Sequence, residues 1–188
     1  SALIKRNGKV YTVPTAKYIM LNVFYNKEIF AEYNLKPPTT WDEFVELCET
    51  LKANGVVPIV EAGQSQAGQM LHNPMMTAML NEISEDWPQK FLSGEMKFNG
   101  PEVKAIADRF QALWNAGYFH EGSLSFTAAQ KDEVFMEGSA AMIIQGIFNS
   151  KKYADGSSFE AGWFTLPAVN SNTYYPVMYG EDVGISAK

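Results

Sequence analysis

Apolar and polar residues change their spacing several times along these 188 residues, and each change marks an element. Phe44, Leu47, Cys48 and Leu51 recur three and four positions apart, which puts one stripe on a helix facing a core. Thr40 and Glu43 precede that stripe in a capping box: the threonine hydroxyl meets the amide of Glu43 while the glutamate reaches back. Gly55 follows as a left-handed stop. A second stripe, Val103, Ile106, Ala107, Phe110, Leu113 and Trp114, opens with Pro101 at the first helical position and closes at Gly117. Thr127 and Gln130 repeat the capping box ahead of Val134 and Phe135, and that helix ends near Gly138. Residues 27–33 read as a short helix stopped by Pro37-Pro38. Residues 66–83, rich in Met and Leu, read as a helix kinked at Pro74.

The remaining apolar runs are short and read as strands: 10–14, 19–26, 56–60, 141–145, 164–168 and 179–186. A strand, a helix and a second strand with a short return predict an α/β domain. Its sheet is expected to be mostly parallel and flanked by helices, because parallel neighbours need a crossover. No linker or repeat divides 1–188, so one domain is expected.

Composition narrows the function. The chain is 46% hydrophobic, 13% aromatic and 19% charged, which excludes a disordered segment. Its net charge of -6 offers no basic stripe for phosphates, so no nucleic-acid partner is expected. Apolar runs such as 140–144 are far shorter than the roughly 20 residues that span a bilayer. The single Cys48 excludes an internal disulfide and a cysteine-clustered metal site.

Candidate chemistry is sparse. His72 and His120 are the only histidines and sit in no nucleophile signature, and no metal-ligand spacing or cofactor motif is present. The stretch from Gly63 to Gly68 lacks the lysine of a phosphate loop. It nevertheless places Gln64, Ser65 and Gln66 at the carboxyl end of a strand, where open α/β sheets bind ligands. Only Arg6 and Arg109 are arginine among 15 basic residues. That scarcity of bidentate forks points to a neutral, hydroxyl-rich ligand. Tyr18, Phe148, Tyr174, Tyr175 and Tyr179 sit at strand ends or turns, where ring faces suit stacking on sugars. Glu181 and Asp182 are neighbours on a strand and point to opposite faces, which makes a poor chelate.

Several motifs in order resemble one family. Lys9-Val10-Tyr11-x-Val13-Pro14, Phe24-Tyr25-Asn26-Lys27-Glu28-Ile29-Phe30 and Pro37-x-Thr39-Thr40-Trp41-Asp42-Glu43-Phe44 are similar to the family 1 extracellular solute-binding proteins of ABC sugar importers. Phe135-Met136-Glu137-Gly138-x-Ala140-Ala141-Met142 and Leu166-Pro167-Ala168 continue the same order. The resemblance implies a periplasmic-binding-protein-like lobe, the carboxyl-side half of a two-lobe protein, excised with hinge crossings near 10–16 and 179–186. It implies an amino-terminal lobe as missing partner, a permease in the membrane, and a bacterial protein that is extracellular as a lipoprotein or periplasmic. Where the family often has Trp after a turn, this chain has Gln145-Gly146-Ile147-Phe148. A turn often rich in glycine reads Tyr179-Gly180-Glu181-Asp182.

The expectation is reversible carbohydrate binding with no chemical step. Gln64, Gln66, Asn149, Glu181 and Asp182 would hold hydroxyls, and Phe148, Tyr179 and Tyr18 would stack. Two alternatives stand beside it: a carbohydrate-active enzyme using Glu61 with Glu181 or Asp182 as a carboxylate pair, and binding of another polar solute.

Overall fold

The computed structural model describes residues 5–6, 9–10, 12–19, 22–64, 78–79, 82–84, 86–169 and 177–184. Two short strands, β1 (Lys5–Arg6) and β2 (Lys9–Val10), pair antiparallel. β3 (Thr12–Ile19) then runs into β4 (Asn22–Asn26), the strand at the heart of the domain. Asn26 ends β4 and caps α1 (Lys27–Glu32), its side-chain oxygen accepting from the amides of Glu28 and Ile29.

The expected capping boxes are present. Thr40 opens α2 (Trp41–Ala53), and Glu43 accepts from the amides of Thr39 and Thr40 at 2.6 and 3.2 Å. Gly55, at φ 76°, turns the chain out of that helix. β5 is only Ile59–Val60 rather than the 56–60 expected, because Pro58 has no N–H to give a ladder. α3 (Trp87–Ser93) was not legible in the apolar spacing, since its one buried residue is Trp87. α4 (Pro101–Asn115) buries Val103, Ile106, Phe110 and Leu113 along the expected stripe. α5 (Ala128–Met136) follows its Thr127 box. β6 (Met142–Gln145) leads through a 3₁₀ turn (Ile147–Asn149) into α6 (Ser150–Gly156). β7 is Ala161–Thr165, three residues earlier than expected, and stops ahead of Pro167. β8 (Val177–Gly184) pairs antiparallel with β3 as a two-stranded ribbon. The expected helix over 66–83 falls mostly outside the described residues.

The main sheet has the order β5-β6-β4-β7. The α/β class and the flanking helices stand, but the mostly parallel sheet does not. Of its three strand pairings only β5–β6 is parallel; β4, antiparallel to both β6 and β7, is the one reversed strand. The cause lies in the ribbon. β4 enters the sheet from the side at which β5 and β6 end, so it has to run against them.

Both sheet faces are covered, which is why the strands read as continuous apolar runs. On one face Val23, Ile59, Met142, Ile144 and Phe164 pack under Phe44, Leu47 and Leu51 of α2 and the stripe of α4. On the other, Phe24, Val60 and Ile143 pack under Phe135 of α5, Tyr153 of α6 and Phe159. Each such buried side chain contributes about 2 kcal/mol. Arg109 serves the first face: it pairs with Glu82 at 2.5 Å and lies 5.2 Å from the Trp41 ring centroid.

Candidate functional site

The direction of the strands gathers one edge. β5 and β6 are parallel neighbours, so the turns that follow them leave the sheet together, about 5 Å apart. β4 runs the other way, so its first residue, Asn22, lies at this same edge, opposite Gln145 on one side and Thr165 on the other. The ribbon leaves from here as well, since β3 ends at Ile19, three positions before Asn22.

The turn after β6 carries Phe148 and Asn149 and lies against β3 of the ribbon. Phe148 is 56% exposed. Its ring folds over the backbone of Gly146, where an added Cβ would fall 2.2 Å from the ring. Glycine at 146 is therefore what lets the aromatic lie in that position. Gln145 stays on this turn as well, its Oε1 accepting from the Gly146 amide at 3.0 Å.

The turn after β5 carries Gln64, exposed, with its amide donating to the Phe126 carbonyl at 3.1 Å. A loop from His120 to Phe126 braces it. Gly63 donates to the Ser123 carbonyl at 2.6 Å, and the Glu61 amide donates to Ser123 Oγ at 3.1 Å. His120 belongs to this loop: its Nδ1 accepts from the Gly122 amide at 3.0 Å and its ring lies 5.0 Å from that of Phe126. The same loop presents Leu124, 62% exposed, beside Gly63. Sequence reasoning passed over Leu124 because a single apolar residue in a polar loop has no period.

The ribbon places the remaining candidates by register. Tyr18 is opposite Met178, Tyr179 opposite Lys17, and Asp182 opposite Pro14. Tyr18 and Tyr179 both belong to the ribbon that leaves this edge. Gln66, Ser65, His72, Tyr174 and Tyr175 lie outside the described residues.

Beneath the edge is a buried charged layer that the sequence did not reveal. Glu61 is 4% exposed and accepts from Lys131 Nζ at 3.2 Å and from the Ala62 amide at 3.3 Å. Burial pushes its carboxyl above the ordinary range, an effect that the charge of Lys131 only partly offsets. Asp132, the next residue of α5, accepts from the Tyr153 hydroxyl at 2.7 Å and pairs with Lys152. Burial, and then the Asp132 charge, raise the Tyr153 phenol; a hydrogen bond from Gln145 opposes them. Lys131 and Asp132 thus prop the two turns of the edge, one through Glu61 and the other through Tyr153.

This layer corrects the carboxylate-pair alternative. Glu61 is engaged with Lys131 and shut off from solvent, so it does not face the edge as a glycosidase acid would. Among the described residues no group of three His, Cys, Asp or Glu could hold a metal ion, and no helix is long and apolar enough to cross a membrane.

Residues 2–188 match the family described as bacterial extracellular solute-binding protein. An uncharacterized ABC transporter extracellular-binding protein of Pyrococcus horikoshii is 29% identical over 172 residues, covering 90% of this chain and 40% of its own length. The multiple sugar-binding protein of Streptococcus mutans is 48% identical over 59 residues, 31% of this chain and 14% of that protein. Among solved structures, a chitin oligosaccharide binding protein superposes with a TM-score of 0.83 at 25% identity, over 96% of this chain and 46% of its own. The solute receptor AcbH, described as preferring β-D-galactopyranose, gives 0.73 at 26% identity over 92% of this chain and 44% of its own. The chain spans 40% and 34% of the length of the two Pyrococcus horikoshii relatives it matches.

Proposed function

The chain belongs to the bacterial extracellular solute-binding protein family, and from that premise we propose that it contributes one wall of a cleft that binds a carbohydrate reversibly, without a chemical step, for import by an ABC transporter. The family is one of binding proteins, and its description places its members outside the cell. The observation that carries the carbohydrate reading is the half-exposed Phe148 on a turn with Asn149, at the edge that also holds Gln64 and the root of the ribbon. A ring face and nearby amides are what a sugar needs: stacking for its C–H face and hydrogen bonds for its hydroxyls.

The rest of the proposal follows from this wall being one side of a site. The ribbon β3–β8 is the crossing to a second lobe, which would supply the opposite wall. Lobe closure would be a hinge motion on microseconds to milliseconds. A permease in the membrane receives the loaded protein, which is held outside the cell by a lipid anchor or by confinement to the periplasm.

Calorimetry with raffinose, galactose and a chitin oligosaccharide tests the reading. Residues 1–188 alone offer half the contacts, so the expected Kd is above about 1 mM, less than about 4 kcal/mol of binding free energy. Phe148→Ala is expected to remove the response. Micromolar binding by this lobe alone would contradict the half-site, and a response unchanged by Phe148→Ala would contradict the stacking wall.

A further inference from the structure

The last rung of the sheet holds a polar pair that nothing in the fold requires. Asn22 is 0% exposed, yet its Oδ1 and its Nδ2 both lack a hydrogen-bond partner among the described residues. Thr165 stands opposite it on β7, and its buried Oγ1 lacks a partner too. The ladders of β4 to β6 and β7 are regular here, and Val23 and Phe24 continue β4 as apolar residues. A leucine at 22 and a valine at 165 would suit the same packing. A buried carboxamide left dry is destabilising. Local rules of this kind are broken mainly at functional sites.

We infer that the Asn22 carboxamide and the Thr165 hydroxyl form a hydroxyl-binding subsite at the floor of the proposed cleft, taking a vicinal pair of hydroxyls from a neutral polyol. The chemistry matches. A carboxamide offers N–H donors and a carbonyl acceptor side by side, and a threonine hydroxyl both donates and accepts. Two adjacent ring hydroxyls present the complementary set. The position matches as well: Asn22 is at the edge shared by Phe148 and Gln64, and Thr165 beside it is itself partly open to solvent. Asn22 follows the last residue of β3 by three positions, at the root of the ribbon.

The inference rests on the carbohydrate reading, and one experiment separates the two. The chain is labelled with nitrogen-15, and raffinose, galactose and a chitin oligosaccharide are titrated at millimolar concentrations while the Asn22 side-chain amide and the Gly146 to Asn149 amides are followed. Thermal unfolding of Asn22→Leu and Thr165→Val is measured in the free protein. The expected result is a saturable shift of the Asn22 amide together with the turn. Asn22→Leu is expected to raise Tm by about 2 to 4 °C, since it removes an unpaired buried amide, and to weaken binding about tenfold. Thr165→Val is expected to give the same two readouts independently. A turn that shifts while Asn22 stays still overturns the subsite and leaves the carbohydrate reading intact. Silence at both places overturns both. A lowered Tm in either variant overturns the subsite, because it means that the polar group is paired for stability. A raised Tm with unchanged affinity overturns it as well.

Discussion

Glu43 shows what a single side chain does when its partners are local. Its carboxylate accepts from the Thr39 amide, the Thr39 hydroxyl and the Thr40 amide. Those bonds, the Thr39 amide first, hold its carboxyl below the ordinary 4.5. A carboxyl depressed in the folded state adds stability above its unfolded value, and that stability is lost as pH falls through the lower folded value. Glu43→Gln keeps an acceptor for the cap but cannot titrate. Urea unfolding should therefore show wild type ahead of the variant at pH 7, with the gap closing below about pH 4; a gap that is constant with pH would be wrong for this account. Gly146 is the second case. Its φ of -67° suits any residue, so only the ring above it forbids a side chain. Gly146→Ala should displace Phe148 and weaken carbohydrate binding while changing the unfolding midpoint little, because the ring that has to move is exposed.

Between elements, the props under the edge decide how firmly its turns are held. Lys131→Met would leave the Glu61 carboxylate buried without its cation, a loss of about 3 to 5 kcal/mol in chemical unfolding. Adding Glu61→Gln should recover much of it, because the second change removes the stranded charge; a double variant as weak as the sum of its singles would rule this out. These props also explain what could be read beforehand. The Thr40 and Thr127 caps and the stripe of α4 are local patterns, and all three match. Lys131 and Asp132 look like a solvated face in sequence, and only the distant Glu61 and Tyr153 make them interior. α6 escaped notice because Tyr153 is its one buried residue, and one residue has no period. The reversed course of β4 is a long-range fact, set by where the ribbon joins. The edge itself was half legible: Gln64 and Phe148 belong to it, whereas Asn22 and Leu124 emerge only from register and packing.

For the molecule as a whole, charge separates a polyol from a salt-like ligand. The net charge is -6, and Arg109, one of only two arginines, is engaged with Glu82 and Trp41 on the core side rather than at the edge. Binding of an uncharged carbohydrate should then change less than about twofold between 10 mM and 1 M salt, a range over which the Debye length shrinks from about 30 to 3 Å. A steep salt dependence measured by calorimetry would point instead to an ionic solute. The arriving strand β3 and the departing strand β8 are zipped together over their length, and they meet the body of the domain at the floor of the proposed cleft. A twin-stranded stem of this kind bends more readily than it stretches. The domain would therefore tilt about its root as one piece, and the side chains nearest that pivot would sense the tilt before any others.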